Sequence, residues 1–175
     1  MFLSLIQRRR SIRKYLEKHV ETEKIDVVIE AALRAPSSRG FKPWEFVVVT
    51  EKGLLEKLSK AKPHGASFLK NAPLGIVVCA DPEKCDVWVE DASIASIFIH
   101  LAAESIGLGS CWIQIRKRMH DQTTSAEAYI RALLNIPKNL NVESIIAMGY
   151  SAEKKPPHRK EDLEYKKAHY GLYGS

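Results

Sequence analysis

The sequence predicts one domain of mixed α and β structure, and three features carry the prediction. Four β-rich apolar runs alternate with helical segments, and 175 residues suffice for one core without staples. The longest helical candidate is apolar nearly all round, which marks it as central and buried. Alternation of strands and helices, taken alone, suggests a parallel α/β sheet.

The chain opens with a cation cluster. Five of the eight residues from Arg8 to Tyr15 are Arg or Lys. Such clusters commonly form solvated or nucleic-acid-binding patches. If the segment leaves a short helix and turns extended, alternation places Arg9, Ser11 and Arg13 on one side. Two guanidinium forks with a hydroxyl between them suit a phosphate at one end and an electron-rich group at the other. That is the outline of a nucleotide-like cofactor.

Thr22 is placed to cap a helix whose Ile25, Val28, Ile29, Ala32 and Leu33 share one face, and Pro36 ends it. Residues 35–44 read as a loop, Glu45–Thr50 as a buried strand, and Glu51–Lys62 as an amphipathic helix with Leu54, Leu55 and Leu58 inward. Leu74–Ala80 is the second strand, and Asp86–Ile106 the long helix, stopped by Gly107. Ser110–Ile115, a helix over 125–134 and a strand over Val142–Tyr150 follow. From Ser151 the composition turns to Glu, Lys, Pro and His, with Tyr165, Tyr170 and Tyr173 as buriable area, so this tail is expected to dock on a partner subunit.

Composition narrows the function classes. The chain is 45% hydrophobic and 27% charged, the balance of a globular protein. No apolar run reaches the roughly 18 residues that span a bilayer. The Met1–Ile6 stretch is too short for a signal core and precedes its charges, so a cytoplasmic location without membrane association is expected. Cys79, Cys85 and Cys111 lack C-x-x-C spacing, the histidines scatter, and no metal is expected. Gly107-Leu108-Gly109 ends a helix instead of opening one, so it is not a dinucleotide loop.

Four stretches together resemble the FMN-dependent nitroreductase family. They are Arg9-Arg10-Ser11-Ile12-Arg13, Ala35-Pro36-Ser37-Ser38 with Pro43-Trp44-Glu45-Phe46, Gly107-Leu108-Gly109-Ser110-Cys111-Trp112, and Met148-Gly149-Tyr150 before a basic, Pro-rich tail. They run in order over essentially the whole chain. The resemblance implies an α+β fold, with a mostly antiparallel central sheet around a long buried helix, in an intertwined homodimer. On this point it overrules the parallel sheet. It implies a single domain over 1–175, whose 151–175 tail reaches over the partner, and FMN at the dimer interface.

The resemblance also assigns roles. Arg9, Arg10 and Ser11 match the phosphate and ribityl contacts, and Arg13 the cation near the pyrimidine edge of the flavin. Pro36, Ser37 and Ser38, with Gly40 in the same loop, match the segment lent by the second subunit. Trp112, Ile113 and Gln114 match the strand whose backbone lies by the ring, where an amide can reach flavin N5. Arg159, between His158 and Lys160, matches the tail cation that closes on the phosphate. Gly40 and Lys42 depart from the Asn and Gln common in the family, and Ile115 stands where glycine is common.

The implied activity is hydride transfer from NAD(P)H to FMN and then to a small-molecule acceptor such as a nitroaromatic or quinone. No protein group is required as the catalyst, with Arg13 as an electrostatic tuner. A flavin-binding redox sensor with little turnover is one alternative. A basic nucleic-acid-binding domain is another; it leaves the Ala35–Ser38 and Trp motifs unexplained, so no nucleic-acid partner is expected.

Overall fold

The computed structural model describes residues 2–174. Met1 and Ser175, the ends of the expected domain and its tail, lie outside the described residues. Along the chain run α1 (Phe2–Arg8), α2 (Thr22–Leu33), β1 (Trp44–Val49), α3 (Lys52–Leu58), β2 (Leu74–Ala80), α4 (Trp88–Ser105), β3 (Gly109–Gln114), α5 (Ala126–Leu134) and β4 (Asn141–Gly149). The strands form one sheet in the order β1-β2-β4-β3, with every neighbouring pair antiparallel.

This corrects the parallel sheet that alternation suggested and agrees with the α+β fold implied by the resemblance. The reason is strand insertion. Leu74 lies opposite Met148 and Gly109 opposite Gly149, so β2 and β3 both start at the same end of β4. They run in one direction, joined by α4 as a crossover helix. β4 slots between them and runs the other way, which splits the parallel couple that the alternation reported.

Local chemistry sets the boundaries. Thr22 proves to be helical, and Glu21 takes the capping position without a side-chain bond. The helix expected over 51–62 spans only Lys52–Leu58. Glu51 caps it through Gly53 N at 3.0 Å, and the Ser59 hydroxyl closes it on the Glu56 carbonyl at 2.7 Å. Gly107, at φ +80°, ends α4 as expected, and Leu108 N reaches back to Ala103 O at 2.8 Å.

The sheet is covered on both faces, which is why β2 reads as an unbroken apolar run. Leu74, Ile76, Val78, Ile146 and Met148 face α2 and α4. Val77, Cys79, Ile113, Ile145 and Ala147 belong to the other core layer, with residues of α3 and α5 and the pair Ile12 and Tyr15. α4 buries Ala95, Ile99 and Ala103, whereas Ile97 stays 44% exposed. Its apolar circumference thus exceeds what one chain covers.

The chain between α1 and α2 packs tightly where it crosses the ends of β3 and β4. A Cβ added to Gly109 would sit 2.9 Å from Ile12, and one added to Gly149 would sit 2.5 Å from the Pro73 ring. The proline ring cannot swing aside. Gly149→Ala is therefore expected to cost about 1–3 kcal/mol of stability, measured by denaturant unfolding of the cofactor-free protein; an unchanged midpoint would refute this account of the close packing at Gly149.

Candidate functional site

After α1 the chain turns extended and runs beside β3. Ser11 forms a parallel bridge with Ser110, and Ile12 N donates to Ser110 O at 2.9 Å. Further on, Leu16 N donates to Tyr150 O at 2.8 Å, beside the Tyr15–Ser151 bridge. Ile12 and Tyr15 turn into the core. The Tyr15 hydroxyl lies 2.6 Å from Ile12 O and 3.2 Å from Ala147 O, and burial pushes its pKa up. Arg9, Arg10 and Ser11 are half-buried, and Arg13 is exposed with its guanidinium 5.9 Å above the Phe68 ring.

The start of the tail grips this segment. Glu153 Oε1 accepts from Arg13 N at 2.6 Å and from Lys14 N at 3.2 Å. Lys155 Nζ donates to Ser11 O at 2.6 Å, and Arg10 donates to the Pro156 carbonyl. The tail thus docks first on its own chain through Glu153 and Lys155, and it is exposed from Pro156 through Gly174. Arg159, expected at the phosphate, is exposed and pairs with Asp162 at 2.7 Å. Lys155 is the tail cation that touches Ser11.

β3 is an edge strand, and its open side faces this cluster. Ser110 directs its carbonyl outward to Ile12, so by strand alternation Trp112 and Gln114 turn their backbone N–H groups outward as well. The Trp112 and Gln114 side chains are tied together, Nε1 to Oε1, at 2.9 Å. The Ile113 side chain is fully buried and its backbone faces Ile145 of β4, so it sets only the line of the strand. Cations beside a row of free edge amides can hold an elongated ligand with an anionic head and an electron-rich, hydrogen-bonding body.

The second loop lies elsewhere. Pro36 and Gly40 are exposed and Ser37 and Ser38 half-buried, next to the N-terminal end of α4. Asp91, buried in the first turn of α4, accepts from Ser38 N at 2.8 Å. Lys42 N donates to Ser37 Oγ at 3.0 Å, and the turn passes through positive φ at Arg39, Gly40 and Lys42. Ser110, by contrast, bonds to His100 in the C-terminal half of α4, nine residues on, or about 14 Å along the helix. One chain therefore does not bring Ser37 and Ser38 to the arginine segment.

Between α1, α2 and α4 opens an apolar groove of about 820 Å³, lined by Phe2, Ile6, Val27, Ile97, Phe98 and Leu101, with Arg9 at its rim. Sequence reasoning missed Glu153, Lys155, Phe68 and Asp91. Only Asp91 left a trace, as an acid in the first turn of an apolar helix.

His100 supports the floor of the cluster. It is 5% exposed, with Nδ1 2.7 Å from Ser110 Oγ. Burial, and then the Arg9 charge, push its pKa from 6.5 down to about 4.

A model of the nitroreductase family matches residues 6–150. A protein of Archaeoglobus fulgidus, provisionally named an NADH dehydrogenase/NAD(P)H nitroreductase, is 38% identical over 164 residues, with 91% of each chain covered. An FMN reductase [NAD(P)H] of Bacillus subtilis is 27% identical over 91% of this chain and 71% of its own. The solved structure of an FMN-dependent nitroreductase from Clostridium difficile R20291 superposes with a TM-score of 0.96 at 51% identity, covering 98% of this chain and 99% of its own.

The depressed His100 pKa gives a pH dependence with a definite sign. The fold favours neutral imidazole, so this stabilisation is complete above about pH 6.5 and is lost as the pH falls towards 4. Relative to His100→Gln, the wild-type protein should lose about 3 kcal/mol between neutral pH and about pH 4. Parallel unfolding curves for the two proteins would refute it.

Proposed function

The chain belongs to the nitroreductase family, and we propose that it is an NAD(P)H-dependent flavin oxidoreductase that carries FMN at the arginine segment and works as a homodimer. The observation that carries this reading is the cation cluster of Arg9, Arg10, Arg13 and Lys155 set against the open edge of β3. FMN held there would supply the redox chemistry, accepting hydride from NAD(P)H and passing electrons to a small acceptor such as a nitroaromatic or quinone.

The chain's own residues bind and orient. Arg9, Arg10 and Lys155 hold the phosphate, with Ser11 beside them, and Arg159 adds a further cation when the tail closes. The outward amide of Gln114 would offer the flavin a hydrogen-bond donor, while Trp112 and Ile113 set the line of the strand. Arg13 would place a positive charge by the flavin's pyrimidine edge. At about 4 Å and an effective dielectric near 20 such a pair is worth about 4 kcal/mol gross, and a third of that shifts a redox equilibrium about tenfold.

Pro36, Ser37, Ser38 and Gly40 complete the site from the second subunit. Their separation from the arginine segment within one chain and the uncovered apolar groove along α4 both support this reading. The exposed Tyr165, Tyr170 and Tyr173 give the tail surface to bury over the partner. Among the described residues no helix is long and apolar enough to cross a membrane, and no acidic, His or Cys group is arranged to hold a metal.

The purified protein should show oxidised-flavin absorbance that bleaches on anaerobic addition of NADH or NADPH. Colourless protein that fails to take up added FMN would end this reading. Ile97→Glu, on the open face of α4, should shift sedimentation from dimer to monomer and weaken FMN retention together; a dimer that persists would remove α4 from the interface.

A further inference from the structure

The extended segment between α1 and α2 has two backbone donors, Arg13 N and Lys14 N, to which no strand offers a carbonyl. Both converge on one oxygen, Glu153 Oε1, at 2.6 and 3.2 Å. The same oxygen lies 3.2 Å from Lys155 Nζ, and that ammonium donates to Ser11 O at 2.6 Å. Ala152 N adds a bond to Lys14 O at 2.9 Å. Glu153 therefore joins both sides of the clasp, and its side chain is only 18% exposed. Its pKa is held low, chiefly by the Arg13 amide.

We propose that Glu153 is a positioning residue for the cofactor. Its carboxylate fixes the backbone at Arg13 and Lys14, and through Lys155 at Ser11, in the conformation that presents Ser11 and Arg13 to FMN. The proposal rests on the FMN reading and adds a role for the tail within its own subunit.

Charge and positioning predict opposite signs, which makes the role testable. An acid among the cations that receive a phosphate repels the ligand, so removing only its charge leaves FMN binding equal or tighter. Removing its hydrogen bonds frees two consecutive backbone amides and lets the segment leave its binding conformation, which weakens binding.

The test titrates FMN into FMN-free wild type, Glu153→Gln and Glu153→Ala by calorimetry. Glu153→Gln keeps an acceptor oxygen and should bind as tightly as wild type or tighter. Glu153→Ala should bind about tenfold more weakly, the loss of roughly one charge-assisted hydrogen bond. Wild-type affinity in Glu153→Ala, or a Gln variant as weak as the Ala variant, would overturn the proposal.

Hydrogen exchange of the FMN-free proteins gives an independent readout. The Arg13 and Lys14 amides should be protected in wild type and Glu153→Gln, and should exchange about tenfold faster in Glu153→Ala. Should the Ala variant not fold, the wild-type amides decide alone. If they exchange as fast as those of the exposed tail, the clasp does not hold the segment and the proposal fails. Wild-type protein that binds no FMN yet shows this protection would refute the cofactor reading and leave the clasp standing.

Discussion

The backbone from Ser11 to Leu16 lies outside the sheet, yet it is hydrogen-bonded on both sides, and the site depends on that double attachment. Ser110 of β3 takes the Ile12 amide, and Tyr150, just past β4, takes the Leu16 amide. Between them Ile12 and Tyr15 sink into the core, and the hydroxyl of Tyr15 returns to the carbonyls of Ile12 and Ala147. A backbone anchored by its apolar residues leaves its polar ones at the surface. With Ile12 and Tyr15 turned inward, Arg13 and Lys14 between them stay exposed and Ser11 is half-buried. Gly109 and Gly149 permit the close crossing that makes the attachment possible.

Topology then decides what the exposed cations face. Inserting β4 between β2 and β3 leaves β3 at the edge of the sheet, with the amides of Trp112 and Gln114 turned away from β4. Open edges are a liability that proteins usually cover. Here the arginine segment covers the first part, and the outward amides of Trp112 and Gln114 remain as a hydrogen-bonding surface. The crossover helix α4 spans the sheet, so its two ends serve different places. Asp91 at one end holds the Ser37–Ser38 loop, and His100 towards the other supports Ser110. The two loops therefore lie at different ends of α4, and the helix leaves an apolar face uncovered between them.

What was legible in the sequence follows the range of the interactions involved. Helices and strands came from local periodicity and the Gly107 stop from backbone conformation, so their positions matched, although the helix after β1 is shorter than expected. Strand direction was hidden, because alternation reports β2–α4–β3 correctly but says nothing of a later strand entering between them. The cation segment was legible as a cluster, while its fastening was not. Glu153 reaches back 140 positions to Arg13, and nothing near it distinguishes that carboxylate from Glu161 or Glu164. Arg159 shows the converse. Its motif position was clear, but with Asp162 three residues away the nearer ion pair forms within one chain.

The charge balance of the cluster explains why these neighbours and not others surround it. Arg9, Arg10, Arg13, Lys14 and Lys155 crowd a short stretch of backbone, and like charges at that spacing repel. Partial exposure to water and the single carboxylate of Glu153 moderate the repulsion without cancelling it. A further cation beneath them would add to it in a less polar setting, and the one titratable base there, His100, is kept neutral by burial and by Arg9 itself. The free protein thus holds uncompensated positive charge on a rigid frame. Positive charge held on this backbone attracts an anion, and the double attachment that keeps the cations together is the same one that orients the arginines.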